Sequence, residues 1–318
     1  MSNIKKNHIT VFNIDEEGRF GGPEKRIVQV ALELKKYNIH TTIICPIKDS
    51  KIFIDFIKKN KISYVKMNIT RLSKHWLTLL RYSLLFPVEV FYLSKFLYKS
   101  NIDIVHINGS YQFKSAIASI IARKKIIWHL NDTNTIYFIK MIFKLLSFIS
   151  IDGFIIAGDR VKNYYLKDIN LKNRPIEKIH APVDTNLYNS SRRDFSSNKL
   201  LITTLSGINQ TKAPHKFINL CETISTKYDH IDFKVAGLFL ESQKGYASYI
   251  KKLVNDSKFL RQRLELLGFV RNVPELLSKS DICIFTSLYE ASPTSIWEAM
   301  AAGKAIVTTD VGSVSEYI

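Results

Sequence analysis

The sequence predicts an α/β protein of two domains, each built on a parallel sheet with helices on both faces. Three observations lead to this prediction. The 318 residues suit two domains of about 150 residues each. Short apolar runs alternate with helical segments along both halves of the chain. The polar stretch SSRRDFSSN at 190–198 is typical of a linker. We therefore expect an N-terminal domain at 1–190, a linker at 191–198 and a C-terminal domain at 199–318.

The first half of the chain alternates strands and helices. The predicted strands are 8–14, 41–45, 62–67, 104–107, 125–130, 153–156 and 178–180. Helices are expected between them, including 24–37 and 114–123. In the first of these, Ile27, Val30, Ala31 and Leu34 recur with the spacing of one helical face.

The second half restarts the same alternation. The predicted strands are 200–205, 232–236, 264–267, 281–285 and 305–308, and the predicted helices are 214–228, 246–255, 273–279 and 294–302. Ligands of such folds bind at the carboxyl ends of the parallel strands, and two tandem domains leave a cleft there.

Composition excludes several classes of protein. The chain is 46% hydrophobic and 12% aromatic, which argues against a disordered or collagen-like chain. Its three cysteines, Cys45, Cys221 and Cys283, lack the spacing of a disulfide scaffold or a zinc site. The net charge is +18, from 46 Lys and Arg against 28 Asp and Glu. Residues 1–199 carry +17 of that charge and residues 200–318 carry +1.

Neither a secretory signal nor a membrane span is predicted. The N-terminus lacks an apolar core followed by a small-residue cleavage site. The segment nearest to a span is 136–151, which Lys140 and Lys144 interrupt. Because these lysines lie four residues apart, they share one helix face and predict an amphipathic helix.

The basic charge is concentrated in the middle of the first half. Residues 51–150 hold 16 basic and 4 acidic side chains, and aromatic residues are interleaved with them at 71–100. This pattern suits an anionic membrane surface, a nucleic acid or a solvated basic surface over an aromatic core. We favour the membrane surface and expect no nucleic-acid partner.

The segment EASPTSIWE at 290–298 places Glu290 and Glu298 eight residues apart around a strand–loop–helix junction. Pro293 suits the first helical position. The amides of Thr294 and Ser295 are then expected to be free at the positive end of the helix, which favours an anion. The alternative is an ordinary helix start with Glu298 on a solvated face.

The stretch 267–318, with its GFV segment, its E-x7-E pair and EAMAAGKAIV, resembles the donor-binding region of family-four retaining glycosyltransferases of the GT-B type. Further segments resemble the same family in order: GGPE at 21–24, IVH at 104–106, WHLND at 128–132, APVD at 181–184 and 206–212. The resemblance implies two Rossmann-like domains facing a cleft. It also implies that the C-terminal domain stops short of the family's usual end.

The resemblance implies donor-binding roles in the second half. Lys212 would hold the leaving diphosphate, Glu290 the transferred sugar and Glu298 the donor ribose, with Thr294 and Ser295 beside the phosphates. Phe269 and Val270 would line the nucleobase pocket, and Glu316 resembles a further glutamate near the donor.

It also implies roles in the first half. Gly21 and Gly22 would form a loop touching the donor diphosphate, although the residues alone fit a plain loop equally well. His129 would contact the transferred sugar, whereas the pattern alone favours a hydrogen-bonded structural histidine. Asp132 would lie on the acceptor side. The catalytic candidates are His129, Glu290 and Lys212.

Four positions depart from the family pattern, and one of them, Ala305, replaces a common proline. Gly207 stands where the family usually has an arginine, five residues before Lys212. Ala213 and Ala291 each replace a common glycine.

The resulting hypothesis is a retaining enzyme that moves a sugar from a nucleoside-diphosphate sugar to a glycan or lipid-linked acceptor in cell-surface polysaccharide synthesis. Because no D-x-D motif is present, we expect no metal and no other cofactor. We expect the protein in the cytoplasm, peripheral to the inner face of the plasma membrane. The alternatives are an inactive glycosyltransferase-like subunit and a sugar-nucleotide epimerase or hydrolase on the same fold.

Overall fold

The chain folds into two compact units, residues 1–180 and 181–318. The structure is a computed structural model, and it describes residues 8–73, 75–171, 173–188, 199–239 and 243–318. The predicted linker at 191–198 lies outside the described residues. The boundary between the compact units falls before it, whereas the sequence predicts an N-terminal domain that reaches residue 190.

Unit 1 is built on a parallel sheet of seven strands in the order β3-β2-β1-β4-β5-β6-β7. The strands are β1 Ile9–Ile14, β2 Ile39–Pro46, β3 Ser63–Met67, β4 Ile104–Asn108, β5 Lys125–Leu130, β6 Gly153–Ile156 and β7 Ile176–Lys178. The prediction of seven strands is confirmed. The seventh lies two residues earlier than predicted, because its pairing with Phe154–Ile156 begins at Ile176.

Helices connect these strands. They are α1 Gly22–Lys35, α2 Lys51–Lys59, α3 Trp76–Lys99, α4 Phe113–Ile121, α5 Tyr137–Ser150 and α6 Asp159–Leu166. The connections through α1 and α2 run in one direction across the sheet, and those through α3, α4 and α5 run in the other. Since such crossovers are right-handed, the two groups cover opposite faces. In agreement with this, α4 packs against both α3 and α5.

Helix α3 is the longest helix in the described part of the chain. It is long and apolar enough to cross a membrane by length and composition, although only 28% of its most apolar window is buried within the protein. The sequence instead points to 136–151 as the segment nearest to a span, and that segment forms the predicted amphipathic helix, α5.

Unit 2 is built on a parallel sheet of five strands in the order β10-β9-β8-β11-β12. These are β8 Leu200–Leu205, β9 Ile231–Ala236, β10 Leu264–Gly268, β11 Ile282–Phe285 and β12 Ala305–Thr308. The helices are α7 Pro214–Ser225, α8 Lys244–Asp256, α9 Val273–Lys279 and α10 Thr294–Ala301, with short 3-10 helices at Thr185–Tyr188 and Val314–Glu316. All five predicted strands and all four predicted helices of this half are confirmed.

The strand order of each unit reverses next to its first strand. In unit 1, β1 lies between β2 and β4, and in unit 2, β8 lies between β9 and β11. Ligands of open α/β sheets bind at the carboxyl ends of the strands beside such a reversal. In unit 2, we therefore expect a ligand-binding site at the loops that follow β8 and β11.

Candidate active site

Backbone and side-chain hydrogen bonds join the two loops that follow β8 and β11. The amide of Leu288 donates to the carbonyl of Thr211 at 2.8 Å. The hydroxyl of Thr286 donates to the carbonyl of Ala213 at 3.1 Å. These contacts fix residues 206–213 beside residues 286–293.

The junction brings together two predicted site residues, Lys212 and Glu290. The ammonium group of Lys212 donates to Oε1 of Glu290 in a short ion pair. Ser287 Oγ donates to the same oxygen at 2.9 Å, and the amide of Lys212 donates to Oδ1 of Asn209 at 2.9 Å. Both charged side chains are only partly exposed. A cation and a carboxylate therefore meet at the carboxyl end of the sheet.

Ala213 follows Lys212 in a backbone conformation that favours glycine. The residue caps the start of α7 in the left-handed region, with φ of 47° and ψ of 48°. A side chain in that region costs about 1–2 kcal/mol, which glycine avoids. The backbone of this chain keeps the turn despite the substitution, so Lys212 still enters the junction.

Helix α10 begins beside Glu290. Its first helical residue is Thr294, and Pro293 precedes the helix in an extended conformation. The prediction that Pro293 takes the first helical position is wrong by one residue, because its carbonyl already accepts the first helical bond, from Ile296 at 2.9 Å. The amides of Thr294 and Ser295 donate to no acceptor among the described residues. The predicted pair of free amides is present, and it favours an anion.

Glu298 lies one turn into α10 and contacts Tyr188. The phenol of Tyr188 forms a hydrogen bond with Glu298, and burial together with this carboxylate raises the pKa of Tyr188. Nearby, the hydroxyl of Ser292 accepts from the indole of Trp297 at 2.9 Å. These contacts position the start of α10 and Glu298, the second carboxylate of the E-x7-E pair.

A close backbone approach fixes the loop that carries Glu290. The amide of Ser313 donates to the carbonyl of Ala291 at 2.9 Å. At Gly312, where φ is +56°, a Cβ atom would lie 2.4 Å from that carbonyl oxygen. Only glycine fits there.

The predicted nucleobase residues follow β10. Phe269 is exposed, whereas Val270 packs against the apolar core of unit 2. Glu316 lies in the last 3-10 helix. Their roles toward a ligand stay predictions.

The predicted glycine loop of unit 1 lies at the start of α1. Gly21 precedes the helix in an extended conformation, and Gly22 is its first residue. Glu24 accepts from the amide of Gly21, as in a capping box. At Gly22, a Cβ atom would meet nothing within 4 Å. The backbone there is open, so a ligand could approach it closely.

His129 lies at the carboxyl end of β5, one residue before Leu130, and is fully buried. Nη1 of Arg26 donates to its ring, 2.6 Å from Nε2. The ring also stacks on His106 with centroids 5.7 Å apart. Burial, Arg26 and His106 together lower the pKa of His129 well below its usual range, so the imidazole is neutral. Its contact with a transferred sugar stays a prediction.

Asp132 is engaged by hydroxyl groups of unit 1. Its Oδ1 accepts from Thr135 at 3.0 Å and from Tyr165, and its Oδ2 accepts from Ser110. Three hydroxyl donors give this carboxylate a structural function. A role of Asp132 on the acceptor side would require a ligand to contact it while these hydrogen bonds persist.

Sequence reasoning misses a set of buried carboxyl groups after β1. Burial raises the pKa of Glu16 to about 7. Burial, with Asp15 nearby, raises that of Glu24 to about 8. Burial also raises the pKa of Asp15. The one available signal is the run Asp15-Glu16-Glu17 directly after a predicted strand, at the carboxyl edge where ligands bind.

Metal-ligand clusters can be searched only in the described ranges. There, no three His, Cys, Asp or Glu side chains are placed to hold a metal ion. The three cysteines are free and buried.

Two family models match the chain. The model of Glycosyltransferase Family 4 matches residues 20–187, and that of Glycosyl transferases group 1 matches residues 189–318. The chain belongs to glycosyltransferase family 4. The junction of Lys212, Glu290 and the start of α10 thus lies in the group 1 region of a glycosyltransferase.

Solved structures share the fold of this glycosyltransferase. A protein from Anabaena, HepE in complex with UDP, is 18% identical with a TM-score of 0.77, covering 98% of this chain and 83% of that one. A glycosyltransferase from Rickettsia africae is also 18% identical, with a TM-score of 0.77, covering 98% and 82%. These likenesses confirm the two-domain α/β fold of the GT-B type.

A curated relative matches a shorter part of the chain. The phosphatidylinositol N-acetylglucosaminyltransferase GPI3 subunit of Saccharomyces cerevisiae is 28% identical over 134 residues. The match covers 41% of this glycosyltransferase and 28% of the yeast protein. It therefore spans less than a third of that relative's length.

Proposed function

We propose that this glycosyltransferase moves a sugar from a nucleoside-diphosphate sugar to a glycan or lipid-linked acceptor, with retention of the anomeric configuration. The proposal includes a place in cell-surface polysaccharide synthesis, at the cytoplasmic face of the plasma membrane. One observation supports the donor-binding part of this proposal. Lys212 and Glu290 form an ion pair in the loops next to the free amides of Thr294 and Ser295.

The chemistry of this junction suits a sugar diphosphate. An ammonium group and helix amides stabilise the negative charge of a diphosphate. Glu290 and Glu298 are acceptors for sugar and ribose hydroxyls. The complexes of HepE with UDP support a nucleoside diphosphate as the leaving group.

In the proposed reaction, the bond between the anomeric carbon and the phosphate oxygen breaks, and the electron pair leaves with the nucleoside diphosphate. The acceptor hydroxyl attacks the same face of the sugar, and its proton passes to the departing phosphate oxygen. Lys212 and the start of α10 would stabilise the charge that develops on the diphosphate. Because these groups already supply positive charge, the proposal requires no metal ion.

The residues of unit 1 receive secondary roles in this proposal. Gly21 and Gly22 would approach the donor diphosphate through their backbone, and the open space at Gly22 supports this. His129 would act toward the transferred sugar as a neutral imidazole held by Arg26. Asp132 would support the acceptor side.

Exposed apolar faces of unit 1 support membrane docking. On α3, the exposed residues Leu77, Leu80, Leu84, Val88 and Phe91 follow helical spacing. On α5, Phe138, Met141, Leu145 and Phe148 do the same. Both helices cover the same face of the sheet, in the half of the chain that carries +17 of the net charge. Apolar side chains with surrounding positive charge suit an anionic leaflet.

The donor proposal is tested by thermal unfolding with a panel of UDP-, GDP- and ADP-sugars. A ligand that binds only the folded state raises the melting temperature. We expect one nucleotide class to stabilise the wild type, and this stabilisation to fall in Glu298→Ala and Lys212→Ala. Absence of stabilisation by any donor would contradict the proposal. Binding without transfer to any acceptor would favour an inactive subunit.

A further inference from the structure

Unit 1 contains a cavity of about 810 Å³ that the donor proposal does not use. It lies beyond the carboxyl ends of β1, β2 and β3 and is bounded by α3. Its volume falls in the range of small-molecule sites. We call it the α3 cavity.

Charged side chains line much of the α3 cavity. The cations are Lys48, Lys66, Arg71 and Arg81, and the carboxylates are Glu16, Glu17, Asp49 and Glu89. The net charge available to a ligand depends on which of these groups already form ion pairs within the protein.

Two of the carboxylates are satisfied within the protein. Glu89 pairs with the buried Lys114, and it accepts from the amide and hydroxyl of Thr70 at 2.9 and 2.6 Å. Glu17 pairs with Arg71 at 3.3 Å and with Arg19. Neither carboxylate is left to neutralise the remaining cations.

Three cations of the cavity have no such partner. Lys48, Lys66 and Arg81 make no hydrogen bond or ion pair with any described residue. They approach the cavity from the loop after β2, from β3 and from α3. Against these three cations stand the exposed carboxylate of Asp49 and the buried carboxyl group of Glu16. The cavity therefore offers a surplus of positive charge from three directions.

Glu16 supplies an independent sign of a ligand. Its side chain is 97% buried, and its Oε1 accepts from the amide and hydroxyl of Ser115 at 2.8 and 2.7 Å. Its buried Oε2 has no partner among the described residues. A buried polar atom without a partner is costly, and a ligand hydroxyl would satisfy it.

Apolar side chains line another part of the cavity, beside the polar residues Asn68, Thr70 and Thr78. Ile47, Ile69, Leu85 and Val88 line it, together with Tyr92. Val88 also belongs to the exposed apolar face of α3. A ligand that fills the cavity thus meets both cations and hydrocarbon, and α3 supplies some of each through Arg81, Leu85 and Val88.

We infer that the α3 cavity binds a phosphate or diphosphate group of the acceptor, held by Lys48, Lys66 and Arg81, with the adjoining apolar part of the acceptor against α3. The inference rests on the proposed function, since it names the acceptor class. Arginine and lysine both bind phosphate through charge-assisted hydrogen bonds. The phosphate could belong to a lipid or to a free phosphorylated compound, and the test separates these sources.

The test is calorimetric titration of the full chain with octyl phosphate, inorganic pyrophosphate and octanol. We expect octyl phosphate to bind more tightly than pyrophosphate, and octanol to show no binding. The double variant Lys48→Gln/Arg81→Gln should weaken both anions about tenfold or more. The control Lys58→Gln/Lys59→Gln removes the same charge from the exposed end of α2 and should bind as the wild type does.

Several results would overturn the inference. Equal anion affinity in the wild type and in Lys48→Gln/Arg81→Gln would exclude the α3 cavity. Equal loss in the control would show non-specific attraction to the basic unit. Pyrophosphate binding as tightly as octyl phosphate would contradict the inferred contact of an apolar acceptor group with α3. The rise in melting temperature with donor sugars is measured in parallel, and it should persist in both double variants. A failure of the donor proposal can therefore be distinguished from a failure of this inference.

Discussion

Lys212 donates from its ammonium group to Oε1 of Glu290, a residue 78 positions further along the chain. The contact exists because β8 and β11 are neighbours in the sheet, so the loops that follow them lie side by side. The lysine is thereby held beside Glu290, in the loop that leads into α10. A donor diphosphate would exchange this carboxylate for phosphate oxygens.

Replacing Lys212 with Gln is expected to lower turnover about 100-fold or more, because the leaving diphosphate loses the cation that stabilises it. The measurement is steady-state release of nucleoside diphosphate. Lys216→Gln removes the same charge from an exposed position of α7 and should keep near-wild-type turnover. Near-wild-type turnover in Lys212→Gln would contradict the assignment of this lysine.

Replacing Gly312 with Ala is expected to destabilise the protein, because a Cβ atom would lie 2.4 Å from the carbonyl oxygen of Ala291. We expect a loss of about 2 kcal/mol or more in the free energy of unfolding, measured with urea. The control is Gly303→Ala, where φ is +64° but no atom lies within 4 Å of the added Cβ. It should cost about 1 kcal/mol, from backbone strain alone. Equal losses in both variants would contradict the close approach.

Replacing Glu24 with Gln is expected to change how stability depends on pH. Burial and Asp15 raise the pKa of Glu24 from its ordinary 4.5 to about 8. Between these values the native state holds more protons than the unfolded state, so its free energy of unfolding falls as pH rises. The slope from this group is at most about 1.4 kcal/mol per pH unit.

Glu24→Gln removes that contribution, so the variant should gain stability relative to the wild type as pH rises from 4.5 to 8. Urea unfolding at several pH values measures the difference. Glu33→Gln, at an exposed position of the same helix, is the matched control and should show a much smaller change. A constant difference between Glu24→Gln and the wild type across the window would show that Glu24 is ionised in the native state.

The double variant Phe138→Ser/Leu145→Ser is expected to weaken binding to anionic vesicles about tenfold or more, because both side chains are exposed on one face of α5. Cosedimentation with phosphatidylglycerol–phosphatidylcholine vesicles measures this. Leu220→Ser/Tyr249→Ser removes two exposed apolar side chains from unit 2 and should bind as the wild type does. If Phe138→Ser/Leu145→Ser sediments with the vesicles as fully as Leu220→Ser/Tyr249→Ser does, then α5 does not dock on the membrane.

Most of the fold follows from local sequence patterns. The apolar runs predict every strand, since a buried parallel strand needs several consecutive apolar residues. The sequence analysis expects helices between the strands but gives no bounds for α2, in which Phe53, Ile54 and Ile57 are buried. Boundaries such as that at Pro293 shift by a residue, because capping depends on backbone geometry.

The site is less predictable than the fold. The E-x7-E pair and the lysine are visible as motifs, but their contact depends on strand order rather than on spacing. The guanidinium of Arg26 against His129, and the burial of Glu16 and Glu24, depend on packing between distant segments. No local pattern marks a charged residue for burial, so these groups emerge only from the structure.

The central claim is that Lys212, Glu290 and the first amides of α10 form the donor-diphosphate site. The most direct test is an NMR titration of the ¹⁵N-labelled protein with UDP, following the amide resonances of Thr294 and Ser295. We expect both resonances to shift with one common dissociation constant. In Lys212→Gln, this dissociation constant should rise about tenfold or more. UDP binding that leaves both amides unchanged, or that has the same midpoint in Lys212→Gln, would contradict the claim.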